Sequence, residues 1–184
     1  NSIFRDNAGP GIRINSGYGK FATFENNSFT GNAGAPIELS AAHLGQLGEG
    51  NFYETAEEKD FISVRAGTIS SSTTWSNQGI PYRFSGEPTI SNGTVTIAPG
   101  TTLEFLSGHG LSVVEEGTLR AIGEEGNEIL FTSTIANSDS WRGIAFNTAS
   151  QDNALENVVV ENAGQKNYLF NRDTPGNLVL RGSS

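Results

Sequence analysis

Cysteine and methionine are absent from the 184 residues, lysine occurs three times and histidine twice. Without cysteine there can be no disulfide, zinc-thiolate site or thiol nucleophile. Three lysines in a chain of net charge -9 do not build the clustered basic surface that a phosphate backbone requires, so no nucleic-acid partner is expected. No run reaches the ~20 apolar residues of a membrane span, and Asn1 to Arg13 lack the charged and apolar regions of a signal peptide. A targeting signal, if the protein carries one, is therefore expected outside this sequence, and the missing methionine fits a piece of a longer reading frame. No long stretch follows the 3.6-residue period, so helix is expected to be minor.

What is present is glycine (23 residues), with abundant Ser, Thr and Asn, and a motif that recurs. Asn27-Ser28-Phe29-Thr30-Gly31-Asn32-Ala33-Gly34 matches Asn157-Val158-Val159-Val160-Glu161-Asn162-Ala163-Gly164 in its first Asn, its central apolar residue and its closing Asn-Ala-Gly. Asn1 to Gly9 is a third copy, one residue longer. Strand-like units repeated in this way indicate a solenoid, whose coils bury their apolar faces only by stacking on neighbours. The chain is expected to be one period of a longer array, with Leu178 to Ser184 leading into a coil like Ser2 to Arg5. Separate copies could then stack end to end.

From Gly93 onward, strands are expected at Thr94–Ile97, Thr102–Leu106, Gly110–Val114, Thr118–Ile122, Glu128–Thr132, Arg142–Asn147, Leu155–Val160, Asn167–Phe170 and Leu178–Arg181. Corners such as Pro99-Gly100 and Glu124-Glu125-Gly126-Asn127 separate them, with residues that preset φ or tolerate a left-handed backbone. Leu103, Leu111 and Leu119 recur every eight residues, one per strand, as interior rungs. Ser2–Arg5, Gly11–Asn15, Phe21–Phe29, Pro36–Ser40 and Phe61–Arg65 are further coil strands. Between them, Ala41 to Asp60 reads as an irregular acidic interruption that opens with a helical turn at Ala41-Ala42-His43-Leu44. A unit boundary falls near Gly67 to Ser76, dividing residues 1–66, the terminal coils of one unit, from 67–184, the opening coils of the next. The fold class is all-β: a right-handed parallel β-helix with three short parallel sheets and little helix.

The segments Thr101-Thr102-Leu103-Glu104-Phe105, Gly117-Thr118-Leu119-Arg120-Ala121-Ile122-Gly123, Ile129-Leu130-Phe131-Thr132-Ser133 and Trp141-Arg142-Gly143-Ile144-Ala145-Phe146 resemble the opening coils of right-handed parallel β-helix surface proteins. The asparagine-bearing copies resemble the parallel β-helix repeat of the pectate-lyase-like superfamily. The resemblance implies that Asn7, Asn32 and Asn162 sit at a coil corner as an asparagine ladder, which agrees with the ease with which Asn adopts left-handed geometry and bonds turn amides. It is specific for fold and unspecific for activity, since fold does not imply function.

The chemistry-bearing residues are dispersed. Polysaccharide lyases of this fold use Arg or Lys as base beside calcium; the counterparts here would be Arg5, Arg13, Arg142 and Arg181 with Asp6, Glu156, Glu161 and Asp173. No closely spaced acidic set faces them in the sequence. Glu115-Glu116 and Glu124-Glu125 lie at Gly-rich turns, where side chains diverge instead of forming the facing pair of a glycosidase. His43 and His109 have no partner acid at useful spacing. No catalytic residue, cofactor site or metal site is assigned; the acidic loop Glu49 to Asp60 is the candidate for calcium, although it lacks an Asp-x-Asp-x-Asp-Gly pattern. Trp75, Tyr82 and Phe84 read either as a sugar-stacking strip or as a cover for the end of a coil stack.

The expected function is a non-enzymatic structural, adhesive or glycan-contacting segment of a secreted or surface-anchored bacterial protein, its partner a cell-surface glycan or protein. The alternative is part of a carbohydrate-active lyase or hydrolase. A third reading, ice binding, rests on the tripeptides Thr94-Val95-Thr96 and Thr132-Ser133-Thr134.

Overall fold

Apolar residues that alternate with polar ones over three to five positions can turn one face inward and leave the other wet. In a computed structural model describing residues 1–15, 20–54, 57–137, 140–165 and 176–181, the chain forms nineteen strands of two to five residues, many of them such runs. In chain order they are β1 Ile3–Arg5, β2 Ile12–Arg13, β3 Ser28–Thr30, β4 Ile37–Ser40, β5 Phe52–Glu54, β6 Ile62–Arg65, β7 Gly67–Ile69, β8 Thr73–Trp75, β9 Tyr82–Phe84 and β10 Pro88–Ile90. Then follow β11 Thr94–Ile97, β12 Thr102–Phe105, β13 Leu111–Glu115, β14 Thr118–Ile122, β15 Ile129–Ser133, β16 Ile144–Thr148, β17 Ala154–Glu156, β18 Val158–Val160 and β19 Leu178–Leu180. Ala41–Gln46 and Glu57–Lys59 are short 3-10 segments.

Every named strand pairing is parallel, and the strands stack into a solenoid of about six turns. The sheets number four, not the three expected. Sheet B is the spine, with order β18-β15-β12-β9-β6-β4-β2; sheet A holds β1-β3-β5, sheet C β19-β16-β13-β10-β7 and sheet D β17-β14-β11-β8. The fourth sheet exists because the cross-section changes along the stack. Through β5 each coil runs from sheet A to sheet B; from β7 onward it passes through sheets C, D and B. Sheet B runs through both regimes without interruption. The coil length varies as corners lengthen: Ser63 pairs with Arg83, 20 residues on, whereas Arg120 pairs with Ala154, 34 residues on.

Stacking in register aligns like residues inside the coil. Ile12, Ile37, Ile62, Tyr82, Leu103, Phe131 and Val160 occupy successive levels of one inward column of sheet B. Leu103, Leu111 and Leu119 are fully buried, one each on sheets B, C and D of a single coil. Aromatic rings continue the interior in two runs. Phe29 lies between Phe4 and Tyr53 at centroid distances of 5.0 and 5.5 Å; Phe84, Phe105 and Trp141 stack at 4.8 and 4.5 Å, with Trp75 tilted against Phe84 at 5.9 Å. Such offset contacts add to the burial of the rings themselves.

Several expectations from the sequence are corrected. Leu155–Val160 is two strands, because Asn157 at φ 47° turns a corner between β17 and β18. Phe21–Phe29 contributes only β3. Ala41–Asp60 is not an interruption: it supplies the 3-10 segment Ala41–Gln46, a coil corner at Gly50-Asn51 and strand β5. Strands β7 to β10 were not anticipated. The expected strand Asn167–Phe170 lies outside the described residues.

Candidate functional site

The Asn repeat builds two ladders. At the corner after β1 and β3, Asn32 Oδ1 accepts from the Asn7 backbone N–H (3.2 Å) and from Asn7 Nδ2 (2.7 Å), while Asn32 Nδ2 donates to Phe4 O at 3.0 Å. At the corner before sheet A, Asn51 Oδ1 accepts from the Asn27 N–H and Nδ2, both at 3.1 Å, and Asn27 Oδ1 accepts from Ser2 N at 3.0 Å. The second ladder ends on Gln78, whose Oε1 accepts from Asn51 Nδ2 (3.2 Å) and the Tyr53 hydroxyl (2.8 Å) and whose Nε2 donates to Gly48 O at 3.0 Å. In both ladders the residue just before the asparagine is left-handed: Asp6, Gly31, Asn26 and Gly50 all have φ between 55° and 73°. That backbone turn aims the next side chain along the stack. Burial raises the pKa of both Tyr53 and Tyr82, because a phenolate there would lose its solvation.

Asn162 does not join either ladder. It is itself left-handed (φ 58°), and its Nδ2 donates to Thr132 Oγ1 and Glu161 Oε1 at 3.2 and 3.3 Å. The motif copy at Asn157–Gly164 is out of phase by one residue: Phe29 points inward and is fully buried, whereas its sequence counterpart Val159 points outward and is 42 % exposed. A one-residue slip reverses every side chain of a strand, and here β18 takes its phase from Val160 pairing with the buried Phe131.

Trp75, Tyr82 and Phe84 are wholly buried in the middle of the stack, so they form core instead of a surface strip or an end cover. The Tyr82 hydroxyl donates to Ser76 O at 2.5 Å.

The polar surface with the most regular arrangement is the outer face of sheet B. Register places Arg13, Glu38, Ser63, Arg83, Glu104, Thr132 and Glu161 in one outward column. Arg13 pairs with Glu38 at 2.9 Å, Arg65 reaches the same carboxylate at 3.5 Å, and Arg83 pairs with Glu104 at 2.8 Å. Thr132 Oγ1 donates to Glu161 Oε1 at 3.0 Å. The Arg83 guanidinium also lies 3.8 Å over the Phe61 ring. Beside the column, Phe61, Pro81, Thr102, Leu130 and Val159 form a mainly apolar stripe two residues earlier on each strand. A shallow pocket of about 140 Å³ borders that stripe at Asn77, Gly79, Ile80, Pro81, Gly100 and Thr102.

The dispersed Arg and acid candidates stay apart. Arg5 is on sheet A, Arg13 is held by Glu38, and Arg142 donates to Glu87 at 3.0 Å, the same carboxylate that accepts from Ser112 Oγ at 2.8 Å. Arg181 lines a cavity of about 240 Å³ at the C-terminal end of the stack with Phe146, Leu155, Leu178 and Leu180, and no carboxylate is among the described residues that line it. Asp173 lies outside the described residues. His43 contacts Gln46 at 2.6 Å, and no cluster of three or more His, Asp or Glu that could hold a metal occurs among the described residues. The two Thr-x-Thr tripeptides lie on different sheets, D and B, so they do not share a flat face. No described helix is long and apolar enough to cross a membrane.

The residues that sequence reasoning missed are Asn51 and Gln78 in the ladder and Arg83, Glu104 and Phe61 on the sheet B face. A signal for Asn51 was present: Gly50-Asn51-Phe52-Tyr53 follows Asn26-Asn27-Ser28-Phe29 at a spacing of 24 residues. No family model, curated protein or solved structure matches the chain.

Proposed function

We propose that this chain is a non-enzymatic scaffold segment of a secreted or surface-anchored bacterial β-helix protein, acting as a stalk or adhesive module that meets a glycan or protein through the outer face of sheet B. The observation that carries this reading is the outward column itself. Its side chains bond along the stack to one another: Arg13 with Glu38, Arg83 with Glu104, Thr132 with Glu161. Glycosidase chemistry asks for two carboxyl groups facing one space at roughly 5 to 9.5 Å. Along the column the carboxylates are spaced beyond that range: Glu38 and Glu104 are three strands apart on sheet B and Glu104 and Glu161 two, about 14 and 10 Å at the usual strand spacing, and each is already engaged, Glu38 and Glu104 by arginines and Glu161 by Thr132. A flat face of paired charges bordered by an apolar stripe suits contact with an extended partner better than turnover of a small one. The likeness of the coils to parallel β-helix surface proteins supports the same placement.

The test is a glycan array combined with lyase and hydrolase assays on the whole protein, repeated with Arg83→Ala and Glu104→Ala. Binding that weakens in both variants without release of sugar products is the expected result. Unsaturated or reducing ends that accumulate with the wild type and disappear in Arg142→Ala or Arg5→Ala would overturn it.

A further inference from the structure

The corner between β10 and β11 carries the one Asn-Gly step of the chain, Asn92-Gly93. Asn92 is exposed, and its Oδ1 accepts from the Gly93 N–H at 2.9 Å. The side-chain amide is therefore folded back over the peptide nitrogen that follows it. Gly93 has φ 69° and no Cβ to screen that nitrogen; a Cβ there would collide with the Ser72 backbone nitrogen. The Asn92 amide nitrogen makes no hydrogen bond among the described residues, unlike the ladder amides of Asn27, Asn32 and Asn51, which donate to Asn51 Oδ1, Phe4 O and Gly48 O. Those three asparagines are also followed by Ser28, Ala33 and Phe52, whose side chains crowd the nitrogen in question.

We propose that Asn92 is a site of spontaneous covalent modification, converting to aspartate and isoaspartate through a cyclic imide with water as the only co-reactant. The Gly93 backbone nitrogen gives its proton to solvent base and forms a bond to Asn92 Cγ. The Cγ–Nδ2 bond breaks, and the nitrogen departs as ammonia. Water then opens the five-membered imide at one of its two carbonyl carbons. Cleavage of the new bond from the Gly93 nitrogen to Cγ yields aspartate on an unaltered backbone. Cleavage of the bond from that nitrogen to the Asn92 backbone carbonyl carbon yields isoaspartate, with the chain now running through Cβ and Cγ. No oxidation or reduction takes place.

The place of the corner in the stack gives the change a structural consequence. Gly93 O accepts from Thr118 N at 3.0 Å, Thr94 N donates to Ser72 Oγ at 3.0 Å, and Ser91 O accepts from Glu116 N at 3.2 Å. Because Thr94 pairs with Thr118, position 92 lies level with the exposed Glu116 of the next coil. Modification sets a second carboxylate beside Glu116, and the isoaspartate form also inserts a backbone atom into a corner already in contact with Ser71 and Ser72. The junction of sheets C and D loosens there, while sheet B, on another side of the coil, keeps its pairing.

The test is to hold the folded protein at neutral and mildly alkaline pH, map its peptides by mass spectrometry, and detect isoaspartate by enzymatic methyl transfer. Asn92 is expected to convert several-fold faster than any other asparagine and faster as pH rises, and Asn92→Gln to abolish the signal. In the aged protein, amide exchange at Thr94 and Thr118 should speed up while that at Phe84 and Leu103 does not. An Asn92 that keeps its amide while other asparagines convert, or that converts only in urea, overturns the site. Conversion with unchanged exchange at Thr94 and Thr118 overturns the consequence.

Discussion

Asn51→Ala is the most informative perturbation of the stack. Asn51 Oδ1 is the acceptor for two donors of Asn27, its backbone N–H and Nδ2, each at 3.1 Å, and Asn27 is buried. On the other side, Gly48 O and Gln78 Oε1 would lose the Asn51 amide but keep Gln78 Nε2 and the Tyr53 hydroxyl as donors. The substitution thus strands two donors and no acceptor. At ~1 to 3 kcal/mol for each unsatisfied buried group, and allowing for partial solvent access to the Asn27 amide, the loss is about 2 to 4 kcal/mol. Asn162→Ala removes two longer bonds, at 3.2 and 3.3 Å, near the surface, and should cost about 1 kcal/mol. Urea unfolding followed by far-ultraviolet circular dichroism, with the two variants measured side by side, reads the difference as a shift in midpoint. Equal losses in the two variants, or an Asn51→Ala midpoint indistinguishable from wild type, would refute the ladder energetics.

Other outcomes follow from the same geometry. Phe105→Ala, which removes a ring between Phe84 and Trp141, should destabilise by about 3 to 5 kcal/mol in calorimetry, and a loss under 1 kcal/mol would speak against the aromatic run. Arg83→Ala, by contrast, breaks a partly exposed pair and should cost no more than about 1 kcal/mol, so that binding assays on it report contact instead of unfolding. Burial raises the Tyr53 and Tyr82 pKa values, so the folded state holds these protons longer than the unfolded chain; stability is intact below the ordinary tyrosine pKa of about 10 and falls as pH rises beyond it. Absorbance titration should show these two phenols ionising only with unfolding, and reversible ionisation in the folded state would contradict their burial. Glu128, whose carboxylate accepts from its own backbone N–H and that of Gly126, should titrate below the usual carboxylate range in an NMR pH series.

Strands with clean alternation could be placed from sequence: β11 and β14 span the expected residues Thr94–Ile97 and Thr118–Ile122, since the inward Val95, Ile97, Leu119 and Ala121 alternate with Thr94, Thr96, Thr118 and Arg120. Strands β7 to β10 escaped notice because they are three residues long and turn inward Trp75, Tyr82, Phe84 and Pro88, residues that read equally well as a surface patch. The repeat motif misled at Asn157–Gly164 because matching positions do not fix phase: this copy shares its first Asn, its central apolar residue and its closing Asn-Ala-Gly with Asn27–Gly34, yet pairing with Phe131 turns Val160 inward and Val159 outward. Gln78 could not be read as a ladder member, since its residue type and its spacing of 27 from Asn51 both depart from the motif. The sheet B column was hidden for a different reason. Its members lie 20 to 29 residues apart, and only the register of the coils brings Arg83 to Glu104.

The scaffold claim is tested most directly by pulsed electron spin resonance distances between a spin label fixed at position 161 and a second label placed in turn at 63, 38 and 13. These positions share one outward column of sheet B and lie four, five and six strands from Glu161. At ~4.8 Å per strand the backbone separations should rise in equal steps, about 19, 24 and 29 Å, each with a narrow distribution. Distances that fail to increase in that order, or a broad spread at every position, would contradict a rigid parallel stack and the function proposed for it.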